Sequence, residues 1–434
     1  MRVTDLIEKK KANKELTKEE IHWFIKNYTL ENIPDYQMSA FLMAVYFNGL
    51  SKNELTELTH AMRSSGDTLD LSEIKGIKVD KHSSGGVGDK VTLILIGIIG
   101  ALDVPFAKMS GRGLGYTGGT IDKLESIPGF RSDLSTREFI DSVNSINVAI
   151  AAQTTELAPA DKKLYALRDV TATVDEISLI ASSIMSKKLA SGCDGIVLDV
   201  TVGSGAFMKD VESARKLAQK MVEIGKNSDK ETVAVLTNMD EPLGYGIGNS
   251  IEIAEAVRTL KGYGMPDVLE VVYTLGAYML LIAKKANNIG EARVLMETAI
   301  SNGSAYNKFL EFVQNQGGDI SYVKNYDALI NASIIREVNA EESGYIHRID
   351  ARTVGEAVMA LGGGRENLDD EIDASVGVVL NKKIGDQVKR GQILAYIYGN
   401  DENKVDTAYE MIVSAYEINE ERIERPKMIL DIVQ

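Results

Sequence analysis

The sequence predicts a mixed α/β protein with a small helical unit, a larger α/β region and a C-terminal α+β region. Residues 3–62 show helical spacing of their apolar side chains. From Ile77 onward, short apolar runs end in glycine clusters, and beyond about Asn331 alternating strands contain many Gly and Asp residues. With 434 residues, 44% of them hydrophobic, the chain is long enough to bury the cores of two or three domains.

The N-terminal segment has the signals of a short helical bundle. Thr17 and Glu20 have the spacing of a capping box, which marks the start of a helix. Leu42, Val45 and Tyr46 lie on one predicted helical stripe, and the segment is interpreted as a small helical unit.

A second helical stretch covers residues 160–190, between Pro159 and Gly192, and we expect it to return to the N-terminal helical unit. The two longest apolar runs, Val91–Ala101 and Val271–Ala283, are shorter than the roughly 20 residues of a membrane-spanning helix. They therefore predict buried helices.

Composition and charge exclude several functions. A net charge of −15 argues against nucleic-acid binding, which needs clustered basic residues. The N-terminus lacks the pattern of a secretory signal, and Cys193 is the only cysteine. These features favour a cytoplasmic protein that binds neither membranes nor nucleic acid.

The first glycine cluster, KHSSGGVGD at residues 81–89, lies between a predicted strand at Ile77–Val79 and an apolar helix that starts near Val91. Glycine turns and a helix N-terminus present backbone N–H groups, and Lys81 adds a positive charge. The segment therefore predicts an anion-binding loop. Since the Walker pattern is missing, a glycine turn without a ligand is the alternative.

The second cluster runs from Lys108 to Glu125 and follows another predicted strand. Gly113, Gly115 and Gly118 match the GxGxxG spacing of dinucleotide-binding proteins, so an NAD-dependent oxidoreductase is one alternative. Five glycines and several hydroxyl groups favour a site for a single phosphate. The hydroxyl groups belong to Ser110, Thr117 and Thr120.

The third cluster combines an aromatic residue with basic and hydroxyl groups. Ser183 and Lys187 are spaced i, i+4 and share a helix face with Ile180, while Tyr165 and Arg168 lie upstream. A flat heterocycle with carbonyl oxygens suits these groups. A solvated basic face is the alternative.

Taken together, KHSSGGVGD, SGRGLGYTGGTIDKLESIPG, DKKLYALRDVTATV and SSIMSKKLASG resemble the thymidine and pyrimidine-nucleoside phosphorylase family along nearly the whole chain. Near the C-terminus, residues 373–399 resemble half of a biotinyl or lipoyl hammerhead barrel without the modifiable lysine, which favours a structural appendage. The family resemblance implies a homodimer in which a helical domain faces an α/β domain with a central mixed sheet. The expected domains are 1–65 plus 160–193, 72–155 plus 194–330, and a hammerhead-like α+β subdomain at 331–434.

The resemblance also implies the residues of the site. Phosphate is expected at Lys81, Ser83, Thr92, Lys108, Ser110 and Thr120. The pyrimidine is expected at Arg168, Ser183 and Lys187, with Tyr165, Leu114, Ile180 and Phe207 packed around it. His82, Arg168 and Lys187 are the expected catalytic residues.

The implied reaction is the reversible phosphorolysis of uridine, thymidine and deoxyuridine to the base and a pentose 1-phosphate, with inversion at the anomeric carbon. Some relatives have Met where this chain has Lys108, and a lysine there favours ribose as well as deoxyribose. The alternatives are a thymidine-restricted phosphorylase, an anthranilate phosphoribosyltransferase, whose GTGGD-type loop is missing, and a non-catalytic scaffold. Because phosphate and base would lie on different domains, we expect the cleft to close during catalysis.

The reaction needs no cofactor, but some relatives bind a structural potassium ion. The matching positions are Gly88, Leu243, Gly246 and Glu255. Lys90 replaces a threonine ligand of those relatives, and its ammonium group is an alternative occupant that pairs with Glu255.

Overall fold

The computed structural model describes residues 1–113, 115–153, 156–365 and 370–434. The helices are α1 (Val3–Lys11), α2 (Lys18–Thr29), α3 (Asp35–Asn48), α4 (Lys52–Arg63), α5 (Val91–Ala101), α6 (Thr120–Glu125), α7 (Thr136–Ile146), α8 (Pro159–Val170), α9 (Ile177–Ala190), α10 (Val211–Asn227), α11 (Asn249–Arg258), α12 (Pro266–Ile282), α13 (Ile289–Ser301), α14 (Ser304–Asn315), α15 (Ile320–Lys324), α16 (Ala351–Val358) and α17 (Glu402–Ala415). The strands are β1 (Val79–Ser83), β2 (Phe106–Ser110), β3 (Val148–Ala152), β4 (Gly195–Val202), β5 (Glu231–Asn238), β6 (Gly246–Ile247), β7 (Ile334–Asn339), β8 (Gly344–Ile349), β9 (Gly377–Leu380), β10 (Gln387–Val388), β11 (Ile393–Gly399), β12 (Tyr416–Asn419) and β13 (Ile429–Val433).

Helices α1–α4 pack with α8 and α9 to form the helical domain. The predicted capping box at Thr17 and Glu20 is confirmed at the start of α2. Leu42 and Val45 of the predicted stripe are buried, whereas Tyr46 is 37% exposed. The Tyr46 hydroxyl instead donates to Asp175 across the surface, which keeps its polar end in water.

The helical stretch predicted at residues 160–190 forms two helices, α8 and α9. The helical structure is interrupted between Thr171 and Glu176. The buried guanidinium group of Arg168 binds carbonyl oxygens of Thr173 and Val174 in this break and of Leu179 in α9. These carbonyls accept the hydrogen bonds of the charged side chain, so the interruption between the two helices supplies polar partners for a buried charge.

The central sheet has the order β1-β4-β5-β13. Strands β1, β4 and β5 are parallel, and β13 pairs antiparallel with β5, so the sheet is mixed. Helices α5 and α12 cover one face of this sheet within the largest hydrophobic core. The sequence-based division placed residues 429–433 in the C-terminal subdomain, but as β13 they complete the sheet of the α/β domain.

Strand β1 begins at Val79 and ends at Ser83, later than the predicted strand at Ile77–Val79. Its parallel pairing with Gly195–Asp199 of β4 extends it into the first glycine cluster. As a result, Lys81 and His82 lie on the strand rather than in the glycine turn.

The C-terminal domain consists of two antiparallel sheets and helices α16 and α17 around a separate core. Its sheets have the orders β10-β8-β12 and β6-β9-β11-β7. The short strand β6 comes from the α/β domain and pairs with β9, so a strand ladder joins the two domains.

No single helix in the described ranges is long and apolar enough to cross a membrane. The helical segments Asn249–Tyr263 and Pro266–Ile282 reach that length and apolarity together, with a bend of 83° between them.

Candidate active site

Two adjoining cavities lie between the helical and α/β domains, beyond the ends of β1 and β2. The first has a volume of about 250 Å³ and is lined by both glycine clusters and by the end of α9. The second has a volume of about 170 Å³ and is mostly apolar. Larger hollows elsewhere on the protein, such as the one around Glu15 and Asn53, are open surface grooves away from these clusters.

Most of the predicted site residues come together in these two cavities. The first is lined by His82, Ser83, Thr92, Lys108, Ser110, Thr120 and Lys187. The second is lined by Tyr165, Arg168, Ile180, Ser183 and Phe207. Leu114, also predicted to contact the substrate, lies outside the described residues. The Nζ atom of Lys187 donates to Ser183 Oγ over 3.2 Å, and this contact links the two cavities.

The first cavity has the features of an anion site. Gly85 has a φ of +101°, which favours glycine, and its N–H group donates to Ser83 Oγ over 3.2 Å. Helix α5 begins beside it, where Asp89 Oδ1 accepts a hydrogen bond from the N–H group of Val91 over 3.2 Å. Backbone N–H groups at a helix N-terminus attract negative charge.

Lys81 lies beneath this cavity and does not line it. Its fully buried ammonium is 2.9 Å from Asp199 Oδ2 and 3.5 Å from Asp89 Oδ2. Burial acts to lower the pKa of Lys81, but the two carboxylates outweigh burial and the pKa is raised. For Lys81 to bind phosphate directly, its ammonium must leave carboxylates that already neutralise it.

Two further lysines are placed around a buried carboxylate that the sequence analysis missed. Asp80 is fully buried, with Lys188 Nζ at 2.8 Å from Oδ2 and Lys108 Nζ at 3.3 Å from Oδ1. Both lysines also line the first cavity. Burial, together with the charges of Lys188 and Lys81, lowers the pKa of Lys108 to about 8 although Asp80 acts in the opposite direction.

His82 is half-buried in the first cavity. Burial, and then the positive charges of the nearby lysines, hold its pKa well below 6.5. The imidazole is therefore neutral at pH 7 in the unliganded protein. A neutral ring donates a hydrogen bond from one nitrogen and accepts at the other.

The second cavity offers apolar walls and the guanidinium group of Arg168. Tyr165 and Phe207 are 47% and 45% exposed, which leaves their rings accessible to a ligand. The guanidinium of Arg168 lies 5.7 Å from the centre of the Tyr165 ring. A planar ring with carbonyl oxygens can stack on such walls, while Arg168 and, at the junction with the first cavity, Lys187 bind its oxygens.

The residues implied for a potassium ion surround an ammonium group instead. Lys90 Nζ donates to the carbonyl oxygens of Leu243 over 2.7 Å and Gly246 over 2.8 Å, and to Glu255 Oε2 over 2.8 Å. A Cβ atom on Gly88 would lie 3.4 Å from the same nitrogen. A potassium ion does not fit this set, because it would have to displace a buried, fully bonded cation.

Asp122 and Arg365 are not among the site residues that the sequence predicts, although both support the second glycine cluster. Asp122 Oδ2 accepts a hydrogen bond from the N–H group of Gly113 over 2.6 Å, and Arg365 Nη1 binds Asp122 Oδ1 over 2.8 Å. Asp122 lies within the second glycine cluster, but Arg365 is 243 positions further along the chain. A sequence pattern gives no signal for that pairing.

Comparison with known proteins identifies the family. Family models match at residues 4–66 (glycosyl transferase family, helical bundle domain), 75–306 (glycosyl transferase family, a/b domain) and 345–419 (pyrimidine nucleoside phosphorylase C-terminal domain). The pyrimidine-nucleoside phosphorylase of Geobacillus stearothermophilus is 52% identical over 99% of both chains. That of Bacillus subtilis (strain 168) is 54% identical over 96% of this chain and 95% of the relative.

The chain belongs to the pyrimidine-nucleoside phosphorylase family. Its fold is also similar to the crystal structure of anthranilate phosphoribosyltransferase from Thermus thermophilus, with a TM-score of 0.59 over 71% of this chain and 98% of that chain. The identity to that structure is 16%, so this likeness concerns the fold alone. The predicted fold class and the predicted family are both confirmed.

Proposed function

We propose that this family member cleaves pyrimidine nucleosides with inorganic phosphate and releases the base and a pentose 1-phosphate. The observation that carries the proposal is the junction of the two cavities at Lys187 and Ser183. One cavity has the groups that bind an anion, and the other has the groups that bind a flat, carbonyl-bearing ring. A nucleoside that spans this junction would present its anomeric carbon to the bound phosphate.

The chemistry follows from that placement. A phosphate oxygen bonds to the anomeric carbon as the carbon–nitrogen bond to the base breaks, and the bonding electron pair moves onto the base. Lys187 and Arg168 stabilise this developing negative charge on the ring carbonyls. Because His82 is neutral at pH 7, we assign it a hydrogen bond from its N–H group to the base rather than the role of a charged acid.

We assign phosphate to the first cavity, with Ser83, Thr92, Lys108, Ser110 and Thr120 as its direct donors. Lys188 adds a third lysine beside Lys108 and Lys187. Lys81 contributes its positive charge from beneath the cavity, where it pairs with Asp89 and Asp199. Phosphate and base are held by groups from different domains, and closure of the cleft would exclude water from the reacting carbon.

The proposed substrate range includes both ribonucleosides and deoxyribonucleosides. Lys108 supports this breadth, since it lines the first cavity and a lysine can donate a hydrogen bond to a 2′-hydroxyl group. The decisive experiment measures base release from uridine, deoxyuridine and thymidine with and without inorganic phosphate. Phosphate-dependent release from all three is the expected result. Release from thymidine alone would establish the restricted enzyme, and no release would contradict the proposal.

We propose a homodimer that is joined through the helical domain. Helix α3 exposes an apolar stripe in which Tyr36 is 74%, Met43 37% and Phe47 77% exposed. These residues lie on one side of the helix, and an exposed stripe of this kind is a typical contact surface. Sedimentation of the wild type and of Phe47→Glu tests this assignment. A dimer that the substitution weakens is expected, whereas a monomeric wild type would overturn it.

A cytoplasmic location also remains a proposal. It is supported by Cys193, the only cysteine in the sequence, which is a buried free thiol. Fractionation of cells that produce the protein, followed by immunodetection, tests the location. Recovery outside the cytoplasm would contradict it.

We further propose that the protein needs no potassium ion, because Lys90 supplies the positive charge within the protein. The ammonium uses the Leu243 and Gly246 carbonyls and the Glu255 carboxylate. Lys383 donates to the carbonyls of Pro242 and Gly244 in the same loop. Two lysines therefore bind the carbonyls of this loop.

A further inference from the structure

The C-terminal domain packs directly against the second glycine cluster, at Gly115 and Tyr116. A Cβ atom on Gly355 would lie 2.7 Å from the carbonyl oxygen of Tyr116, and one on Gly364 would lie 3.0 Å from that of Gly115. The guanidinium of Arg352 lies 5.5 Å from the centre of the Tyr116 ring. The sequence favours a structural appendage here, but the domain packs against a loop that also lines the first cavity.

Arg365 makes the most extensive of these contacts. Its carbonyl oxygen accepts a hydrogen bond from the N–H group of Gly115 over 2.9 Å. Its side chain, which is 14% exposed, binds Asp122 Oδ1 through Nη1 over 2.8 Å and approaches the carbonyl oxygen of Gly113 to 3.4 Å. Nε donates to the carbonyl oxygen of Asp370 over 3.2 Å, which holds the guanidinium in place.

Asp122 transmits this contact to the cavity wall. Its Oδ2 accepts from the N–H group of Gly113 over 2.6 Å, and its side chain is only 3% exposed. It lies in the first turn of α6, two residues after Thr120. Gly113 and Thr120 both line the first cavity. Arg365 is thus connected to the proposed phosphate site through one intervening residue, Asp122, although it belongs to another domain.

A loop that is rich in glycine needs such external support. Glycine has more backbone freedom to lose on ordering than any other residue, and it has no side chain to pack. When backbone and hydroxyl donors must converge on one small anion, an unsupported loop has to be ordered during binding, and affinity falls accordingly. A charged, nearly buried hydrogen bond from a domain with its own packed core supplies this order in advance.

We propose that Arg365 is a positioning residue for the phosphate loop, and that the C-terminal domain is thereby part of the phosphate site. The inference rests on the proposed assignment of phosphate to the first cavity. Arg365 acts through Asp122 and the backbone of Gly113 and Gly115, not by contact with the substrate. Its loss should therefore weaken phosphate binding selectively and leave nucleoside binding in the second cavity intact.

The test uses the full-length chain with Arg365→Gln and Arg365→Lys, and with Arg336→Gln as the matched control. Arg336 is in the same domain and pairs with Glu402 and Asp406, and none of these contacts involves the glycine loop. We expect Arg365→Gln to raise KM for phosphate about tenfold and to change KM for uridine by less than about twofold. Arg365→Lys keeps the positive charge but lacks the planar, forked N–H donors of a guanidinium group. Its KM for phosphate should therefore lie between those of the wild type and Arg365→Gln.

A second measurement keeps the inference testable if turnover is too low to measure. The rise in melting temperature that inorganic phosphate produces should shrink in Arg365→Gln and remain in Arg336→Gln. Equal rises in both KM values, or an unchanged phosphate response, would overturn the inference. Absence of phosphate-dependent base release by the wild type would instead count against the proposed function, and phosphate binding in the melting assay would still test Arg365.

Discussion

Asp161 binds the ammonium group of Lys187 at the boundary between the two cavities. Asp161 is 4% exposed, and among the described residues its second oxygen, Oδ1, has no hydrogen-bond partner. The same ammonium donates to Ser183 Oγ over 3.2 Å. The carboxylate therefore fixes the direction of a cation that we assign to the departing base.

The first prediction concerns this pair. Asp161→Asn keeps the shape of the side chain but removes the charge that holds Lys187. We therefore expect kcat/KM for uridine to fall about tenfold or more, which corresponds to a loss of about 1.4 kcal/mol in transition-state stabilisation. KM for phosphate should change little. Asp169→Asn, an exposed carboxylate on the same helix, is the control. Steady-state kinetics of both variants provide the measurement, and an equal effect of the two substitutions would contradict the prediction.

The second prediction concerns sugar preference. Lys108→Met should reduce turnover of uridine about tenfold relative to deoxyuridine, because a methionine cannot hydrogen-bond a 2′-hydroxyl group. The two substrates differ only in that hydroxyl, so their ratio of kcat/KM isolates its contribution. Thymidine serves as a second deoxyribonucleoside. Equal losses on uridine and deoxyuridine would assign Lys108 to phosphate alone.

The third prediction concerns pH. Because the pKa of Lys108 is about 8 in the folded protein, its ammonium loses its proton as pH rises from about 7 to 9. KM for phosphate should therefore rise over this range. In Lys108→Met, KM should be higher at pH 7 and should show a smaller further rise. Identical pH profiles of the two proteins would show that Lys108 does not titrate in the phosphate site.

The effect of Lys108 on stability runs opposite to its effect on phosphate binding, so unfolding at high pH through this residue cannot explain a rise in KM for phosphate. Its pKa in the folded protein lies below the ordinary value of 10.5, so between pH 8 and 10.5 the unfolded chain binds more protons. This residue alone therefore makes the free energy of unfolding rise with pH in that range. A thermal melt at each pH separates this contribution to stability from the weaker phosphate binding.

The fourth prediction concerns the cation site. The melting temperature of the wild type should be the same in sodium and potassium buffers, because Lys90 already satisfies Leu243, Gly246 and Glu255. Lys90→Thr should be less stable in sodium and should gain about 3 °C or more in potassium. In Lys383→Thr, the control that removes the other lysine bound to this loop, Lys90 is intact, so no potassium response should appear. A potassium response of the wild type would contradict the prediction.

Local sequence patterns predicted the parts of the fold that depend on neighbours along the chain. The capping box at Thr17 and the buried helix Val91–Ala101 follow from side-chain type and spacing over a few residues. The glycine clusters predicted anion-binding turns for the same reason, since glycine allows backbone conformations that other residues disfavour. The family resemblance then supplied the expected domains and the expected ligands of each cluster.

Tertiary structure decided where the charges go. The sequence could not indicate that Lys81 pairs with Asp199, that Asp80 holds Lys108 and Lys188 together, or that Arg365 reaches Asp122. These partners are far apart in the chain, and each pairing arises because a buried charge must find an opposite charge within a few ångströms. The sequence by itself determined which chemical groups are present, and the packing of three domains determined which of them face the cavity and which neutralise one another beneath it.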